Sequence, residues 1–255
     1  AAFGLVTPPV GKYQAVGSLR LFGNYNWNQV TRDFQFLSVT PSVVGMRTPF
    51  KALSYGLKAE GTYTSKNTVD ASTTATGNNF SSYSLTGDIG PLVRYDVTPS
   101  TRLVFEATWR PKSYFQDALS GDTRRTGMGF LARASASYTR SAYLNLTGYV
   151  SLEQDVPQGS AYQFIGPGAG IANAMYLTDK LTLSPLIDFT RPVYSQTKLP
   201  ERIDSYYSFR VTAQYALATH WSLLADVGYV YNSSTVPATF QYNRELASLG
   251  ATYFF

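Results

Sequence analysis

The chain has no cysteine, a single histidine and no long apolar run, and each shortage closes off a class of protein. Without cysteine there are no disulfides, no thiolate nucleophile and no cysteine-bound metal. His220 alone can build neither a histidine metal centre nor a conventional catalytic dyad, and carboxylates scattered over different predicted strands do not by themselves make a glycosidase. The sequence therefore predicts no catalytic residue, no metal site and no cofactor. No stretch approaches the roughly 20 consecutive apolar residues of a transmembrane helix. Charge is sparse as well, at 15% of residues. Lys and Arg exceed Asp and Glu by 21 to 16, but they stand singly, without a basic run, which argues against nucleic acid as a partner.

What the chain has in quantity is aromatics, 20 Tyr and 15 Phe, residues that suit strands and membrane–water interfaces. They fall into alternating patterns. In residues 12–28 the odd positions Tyr13, Ala15, Gly17, Leu19, Leu21, Gly23, Tyr25 and Trp27 oppose Gln14, Ser18, Arg20, Asn24 and Asn26. A second strand within residues 30–45 alternates Phe34 and Phe36 with Asp33 and Gln35, and its phase blurs before Thr40-Pro41-Ser42. Leu53, Tyr55, Leu57, Ala59, Gly61 and Tyr63 share a third face, with Lys58 and Glu60 opposite. Residues 65–79 lack apolar periodicity and predict a long polar loop. In residues 83–95 alternation returns, with Ser84, Thr86, Asp88 and Arg94 on the polar side.

From there the chain repeats. Short turns near residues 99, 141, 179 and 219 follow Tyr95, Tyr138, Tyr176 and Tyr215, and longer polar connections, residues 111–124, 155–161, 191–203 and 232–238, fall between them. Strict alternation of short and long connections predicts an all-β fold, a transmembrane antiparallel up-and-down β-barrel of about twelve strands formed by residues 1–255 as one domain. Aromatics bracket the oily faces, as in Tyr13 and Tyr25, Tyr83 and Tyr95, Phe130 and Tyr138, Tyr207 and Tyr215, and Trp221 and Tyr229. At about 3.3 Å per residue and a tilt of about 40°, the stretches between them span roughly 20–30 Å, the height of an outward apolar band.

The last twelve residues, RELASLGATYFF, put Ala247, Leu249, Ala251, Tyr253 and Phe255 on one face and Ser248, Gly250 and Thr252 on the other. An edge strand ending on aromatics invites pairing with another chain unless the sheet closes. This pattern resembles the C-terminal strand of bacterial outer-membrane β-barrels. The resemblance implies that Tyr253 and Phe255 are the assembly signal and that the partners are the barrel-assembly machinery and outer-membrane lipids. It also implies an integral outer-membrane protein with both termini periplasmic, working as a porin-like passive channel or as a structural, oligomer-forming protein. The opening AAFGLV, without a basic segment, is what a cleaved signal peptide leaves behind. The alternatives are an outer-membrane enzyme acting on lipid and a soluble secreted β-sandwich. The outer-membrane phospholipase of this broad class needs a histidine beside a serine, whereas His220 falls in a short turn expected at the periplasmic end.

The polar faces carry Arg20, Lys58, Glu60, Asp88, Arg94, Arg102, Glu106, Arg110, Arg133, Asp188, Arg210 and Asp226, with Asp96, Arg125 and Glu153 beside them. These are candidates either for a selective constriction or for a ladder of ion pairs that fills a narrow barrel; twelve strands do not decide the bore. The run Gly166-Pro167-Gly168-Ala169-Gly170 lies inside a predicted strand and so is not a nucleotide-binding loop. Taken in phase with Tyr176, its positions Gly166, Gly168, Gly170, Ala172 and Ala174 point outward beside Ala132, Ala134 and Ala136. That smooth wall is a candidate subunit interface for a homo-oligomer, and an oligomer larger than a trimer should hold lipid at its axis.

Overall fold

The structure, a computed structural model, describes residues 2–6, 12–24, 36–67, 80–115, 124–195, 202–219, 221–236 and 240–254. In these, fifteen strands run in chain order: β1 (Ala2–Val6), β2 (Tyr13–Asn24), β3 (Phe36–Arg47), β4 (Leu53–Asn67), β5 (Phe80–Thr98), β6 (Thr101–Tyr114), β7 (Gly127–Ser141), β8 (Leu144–Pro157), β9 (Phe164–Asn173), β10 (Met175–Tyr176), β11 (Leu181–Thr190), β12 (Val193–Tyr194), β13 (Arg202–Ala218), β14 (Trp221–Ser234) and β15 (Tyr242–Phe254). β10 prolongs β9 past a break at Ala174, and β12 prolongs β11, since both pairs keep the same neighbours. From β2 to β15 every stave pairs antiparallel with the next, giving the twelve-stave up-and-down wall that the alternation predicts. β1 is the thirteenth. It lies between β2 and β15, antiparallel to the first and parallel to the second through Ala2↔Thr252, Phe3↔Tyr253 and Gly4↔Phe254, so the pairings run full circle.

The two-residue period of a strand sorts the side chains. On the β4–β5 ladder, Leu57↔Pro91, Ala59↔Ile89 and Tyr63↔Leu85 face out, while Lys58↔Gly90 and Glu60↔Asp88 face in. Repeated around the wall, this gives the inverse of a soluble core. Leu57, Phe105, Val150, Ile187 and Val227 are exposed on the outside, whereas Ser54, Ser84, Thr108, Ser222 and Asn232 are buried on the inside. Water would not tolerate so continuous an apolar exterior, and a bilayer requires it. No helix among the described residues is long and apolar enough to cross a membrane; the strands do the crossing. Outward aromatics gather at both ends. Tyr13, Tyr55, Tyr95, Tyr138, Tyr215 and Trp221 mark the short-turn rim, and Tyr63, Trp109, Phe130, Tyr207 and Tyr229 mark the other.

Several strands extend beyond the apolar alternation. Residues 65–67 belong to β4, 111–114 to β6, 155–157 to β8 and 232–234 to β14, where the sequence pattern predicts loop. Backbone pairing does not need an oily face, so the ladder continues past the apolar band with polar residues on both sides. The blurred phase at Thr40-Pro41-Ser42 has another cause. Pro41 has no N–H to donate, and the β3–β4 ladder steps from Val39↔Tyr63 to Ser42↔Glu60 without pairing the two residues between. There the Thr40 and Thr62 hydroxyls, 3.0 Å apart, bridge the strands instead. Residues 30–35 and 68–79, Tyr25, Trp27, His220 and Phe255 lie outside the described residues.

Candidate lumenal site

Adjacent inward positions on facing strands bring opposite charges together, and on β4 to β8 they form a ladder that climbs one wall. Nearest the short-turn rim, Arg94 and Arg102 both bind Asp96, at 2.8 and 2.7 Å. Above them Lys58 meets Glu106 at 3.0 Å. Arg110 then joins Asp88 on one side to Glu153 on the other, the latter at 2.8 Å. Lys112 meets Asp155 at 2.8 Å. Elsewhere on the wall Arg210 lies 3.5 Å from Asp226, which also accepts the Thr212 hydroxyl at 2.8 Å. Of the predicted lumenal charges, Glu60, Arg133 and Asp188 form no ion pair among the described residues. For Arg20 only the strand position is described, opposite Thr40 and Ala2.

Arg133 instead lies over the ring of Tyr149, 4.5 Å from its centroid, and the Tyr149 hydroxyl donates to Asp188 at 3.0 Å. The floor under that ring is the glycine run. Gly166 pairs with Glu153, Gly168 with Ser151 and Thr190, and Gly170 with Tyr149 and Asp188, all inward positions, while Ile165, Pro167, Ala169 and Ile171 are exposed outside. This corrects the sequence phase. Gly166, Gly168, Gly170 and Ala172 face the lumen and cannot form an outward subunit contact. The error came from taking the exposed Tyr176 as the phase marker: β9 and β10 keep one register against β11, from Ile171↔Ile187 to Met175↔Leu183 and Tyr176↔Thr182, so Ala174 and Tyr176 share the parity of Gly170, and Tyr176 is exposed at the short-turn rim. Ala132, Ala134 and Ala136 do face outward, opposite Leu152, Val150 and Gly148.

A second, drier cluster occupies the long-loop end. The Arg202 guanidinium is sandwiched between the rings of Tyr194 at 4.0 Å and Phe240 at 3.4 Å. Its Nε donates to both oxygens of Asp204 at 3.1 and 3.0 Å, and the Tyr206 hydroxyl donates to the same carboxylate at 3.1 Å. Asp204 and Asn232 are fully buried, and the Asn232 amide donates to the Phe240 carbonyl at 2.7 Å. Phe240, just before β15, is thus fastened to the barrel wall.

Sequence reasoning passed over Lys112, Asp155 and Arg202 because they fall in segments predicted as loop, and Asp204 because it lies one residue past such a segment. Tyr149 was findable: it shares the parity of Thr147, Ser151 and Glu153, an aromatic standing in the polar phase of its strand.

No protein-family model matches the sequence, and no curated protein matches it. Solved structures do. The chain is similar to the translocator domain of the autotransporter NalP from Neisseria meningitidis, with 13% identity over 97% of this chain and 90% of that one and a TM-score of 0.47. It is similar to the siderophore receptor PirA from Pseudomonas aeruginosa, with 13% identity over 96% of this chain and 41% of that one and a TM-score of 0.44. With a Pseudomonas aeruginosa FadL homologue it shares 11% identity over 98% of this chain and 77% of that one, at a TM-score of 0.55. The fold is that of an outer-membrane β-barrel. For such a barrel the outward Leu, Val and aromatic faces belong to lipid, and the chemistry available to a solute lies along the inward ion pairs.

Proposed function

We propose that this outer-membrane barrel is a porin-like passive channel of the bacterial outer membrane, with short turns and both termini toward the periplasm and the inward ladder as its constriction. The observation that supports this is the wetness of the ladder. The paired side chains from Lys58 to Asp155, with Arg210 and Asp226, keep 14–47% of their surface exposed, against 7% and 0% for Arg202 and Asp204. Ion pairs packed as filler would look like the second kind. Pairs that water reaches can exchange partners with a passing ion, as rings of charge do in channels. On this reading the barrel moves solutes and catalyses nothing, its partners are outer-membrane lipids and the barrel-assembly machinery, and it forms a homo-oligomer through the alanine strip of β7.

Planar-bilayer conductance tests the proposal. Discrete steps whose ion selectivity shifts in Arg133→Ala support it, and silence of the wild type and the variant alike would show a filled, structural barrel instead.

A further inference from the structure

Register places Tyr13, Arg47 and Tyr55 side by side in one outward row at the short-turn rim. The Arg47 guanidinium is 5.4 Å from the centre of the Tyr13 ring and donates to the Tyr55 hydroxyl at 3.3 Å. It is exposed and forms no ion pair among the described residues. Two more cations share the neighbourhood. Lys12 donates to the Pro49 carbonyl at 3.3 Å, and Lys51 stands exposed in the same turn beside Phe50. No Asp or Glu occurs in residues 12–13 or 47–52, and Asp96, whose N–H donates to the Ala52 carbonyl, has its carboxylate held by Arg94 and Arg102, so the patch keeps its positive charge.

Immediately above the row the outer wall is hollowed. The next rows are Ala15↔Gly45↔Leu57 and Gly17↔Val43↔Ala59, mostly small side chains where other staves carry large ones. A Cβ built on Gly45 would meet nothing within 4 Å. The resulting groove has a volume of about 950 Å³ and reaches across to Pro91 and Val93 on β5.

We infer that this groove binds an anionic glycerophospholipid, its phosphate on Arg47 and its acyl chain along Ala15, Gly45 and Ala59. The inference rests on the membrane-embedded reading above. Each part of the arrangement fits one part of such a lipid. A guanidinium held in place by two tyrosines at the interface presents its free N–H groups to a phosphate in the planar geometry that guanidinium and phosphate share. Lys12 and Lys51 add the attraction that basic residues at a membrane surface exert on anionic headgroups. The hollow begins directly beside the cation and runs toward the membrane interior, as a chain attached to that headgroup must. A second copy of the barrel would have to bring a carboxylate over Arg47 and a ridge into the hollow together, and the outward face described here, apolar between its rims, offers no such pairing.

The test uses the purified, refolded barrel in detergent, with native mass spectrometry after addition of phosphatidylglycerol or phosphatidylcholine of identical acyl chains. The wild type should retain phosphatidylglycerol about fivefold better than phosphatidylcholine. Arg47→Gln should erase that preference, and Gly45→Leu, whose Cβ enters open space, should lower retention of both lipids. Slower migration after boiling shows that each variant has folded. Because the chain has no cysteine, Gly45→Cys reports on the rival occupant: under a mild oxidant in membranes it should form no disulfide, and a disulfide-linked dimer would put a second copy in the groove and overturn the lipid site. Equal retention of the two lipids, unchanged in Arg47→Gln, would also overturn it. A wild type that needs no detergent and runs alike boiled and unboiled would fail the membrane reading itself, a different outcome from either.

Discussion

Tyr149 lies against Gly170 so closely that a Cβ on the glycine would stand 2.4 Å from the ring's Cε1. Gly170→Val should therefore push the ring off the wall into the lumen, parting it from Asp188 and Arg133. We expect a cost of about 1–3 kcal/mol from overpacking and a smaller single-channel conductance, read by thermal melting in detergent and by bilayer recording. Unchanged conductance would mean that Tyr149 does not border the path.

Arg110 neutralises two carboxylates and Arg102 only part of one, because Asp96 keeps Arg94. Arg110→Ala should leave Asp88 and Glu153 uncompensated and move the channel toward cations, at a stability cost of about 1–3 kcal/mol for the unpaired charges. Arg102→Ala should move it less. Reversal potentials in a salt gradient rank the two, and the opposite order would remove the ladder as the source of selectivity.

The Arg202–Asp204 pair is dry, so losing one member matters more than losing both. Arg202→Ala strands a fully buried carboxylate and should cost about 3–5 kcal/mol, whereas Arg202→Met combined with Asp204→Leu should recover much of that loss. The temperature at which the folded band disappears on gels measures both. The single variant should also loosen the loop that carries Phe240, seen as faster proteolysis before β15.

Deletion of Phe255, or Phe255→Asp, should abolish membrane assembly while synthesis continues. The residue follows β15, the strand that closes the wall between β14 and β1. Normal outer-membrane levels of either variant would sink its role as the assembly signal.

Alternation of side chains made the barrel, its turns and most lumenal charges legible, because lipid outside and water inside impose the period of two directly on the sequence. Leu53 to Tyr63 and the residues around Asp88 show this at its clearest. Legibility failed where exposure at a rim departs from parity and where the period is unneeded. Phasing the strand from the exposed Tyr176 reversed the faces of Gly166, Gly168 and Gly170, and polar strand ends hid Lys112, Asp155 and Arg202 in segments that look like loops. β1 carried no sign of its place, since five residues can show little alternation and nothing in them specifies a parallel neighbour. Pair geometry, such as the stacking of Arg133 on Tyr149, depends on cross-strand register and was not readable from either strand alone.

An odd number of staves cannot alternate in direction all the way round a ring. With thirteen, one neighbouring pair must run the same way, and β1 beside β15 is that pair. Take β1 out and the count becomes even. β15 and β2, which already touch, then run in opposite directions and can zip to each other, in a ring narrower in circumference by one strand spacing, about 4.8 Å. The same chain thus has two ways to be a closed cylinder, and a segment of five residues decides between them. A chain lacking residues 2–6 should still form a folded, heat-modifiable barrel, with a lower conductance than the parent if the wall re-closes and a leaky, noisy one if it does not.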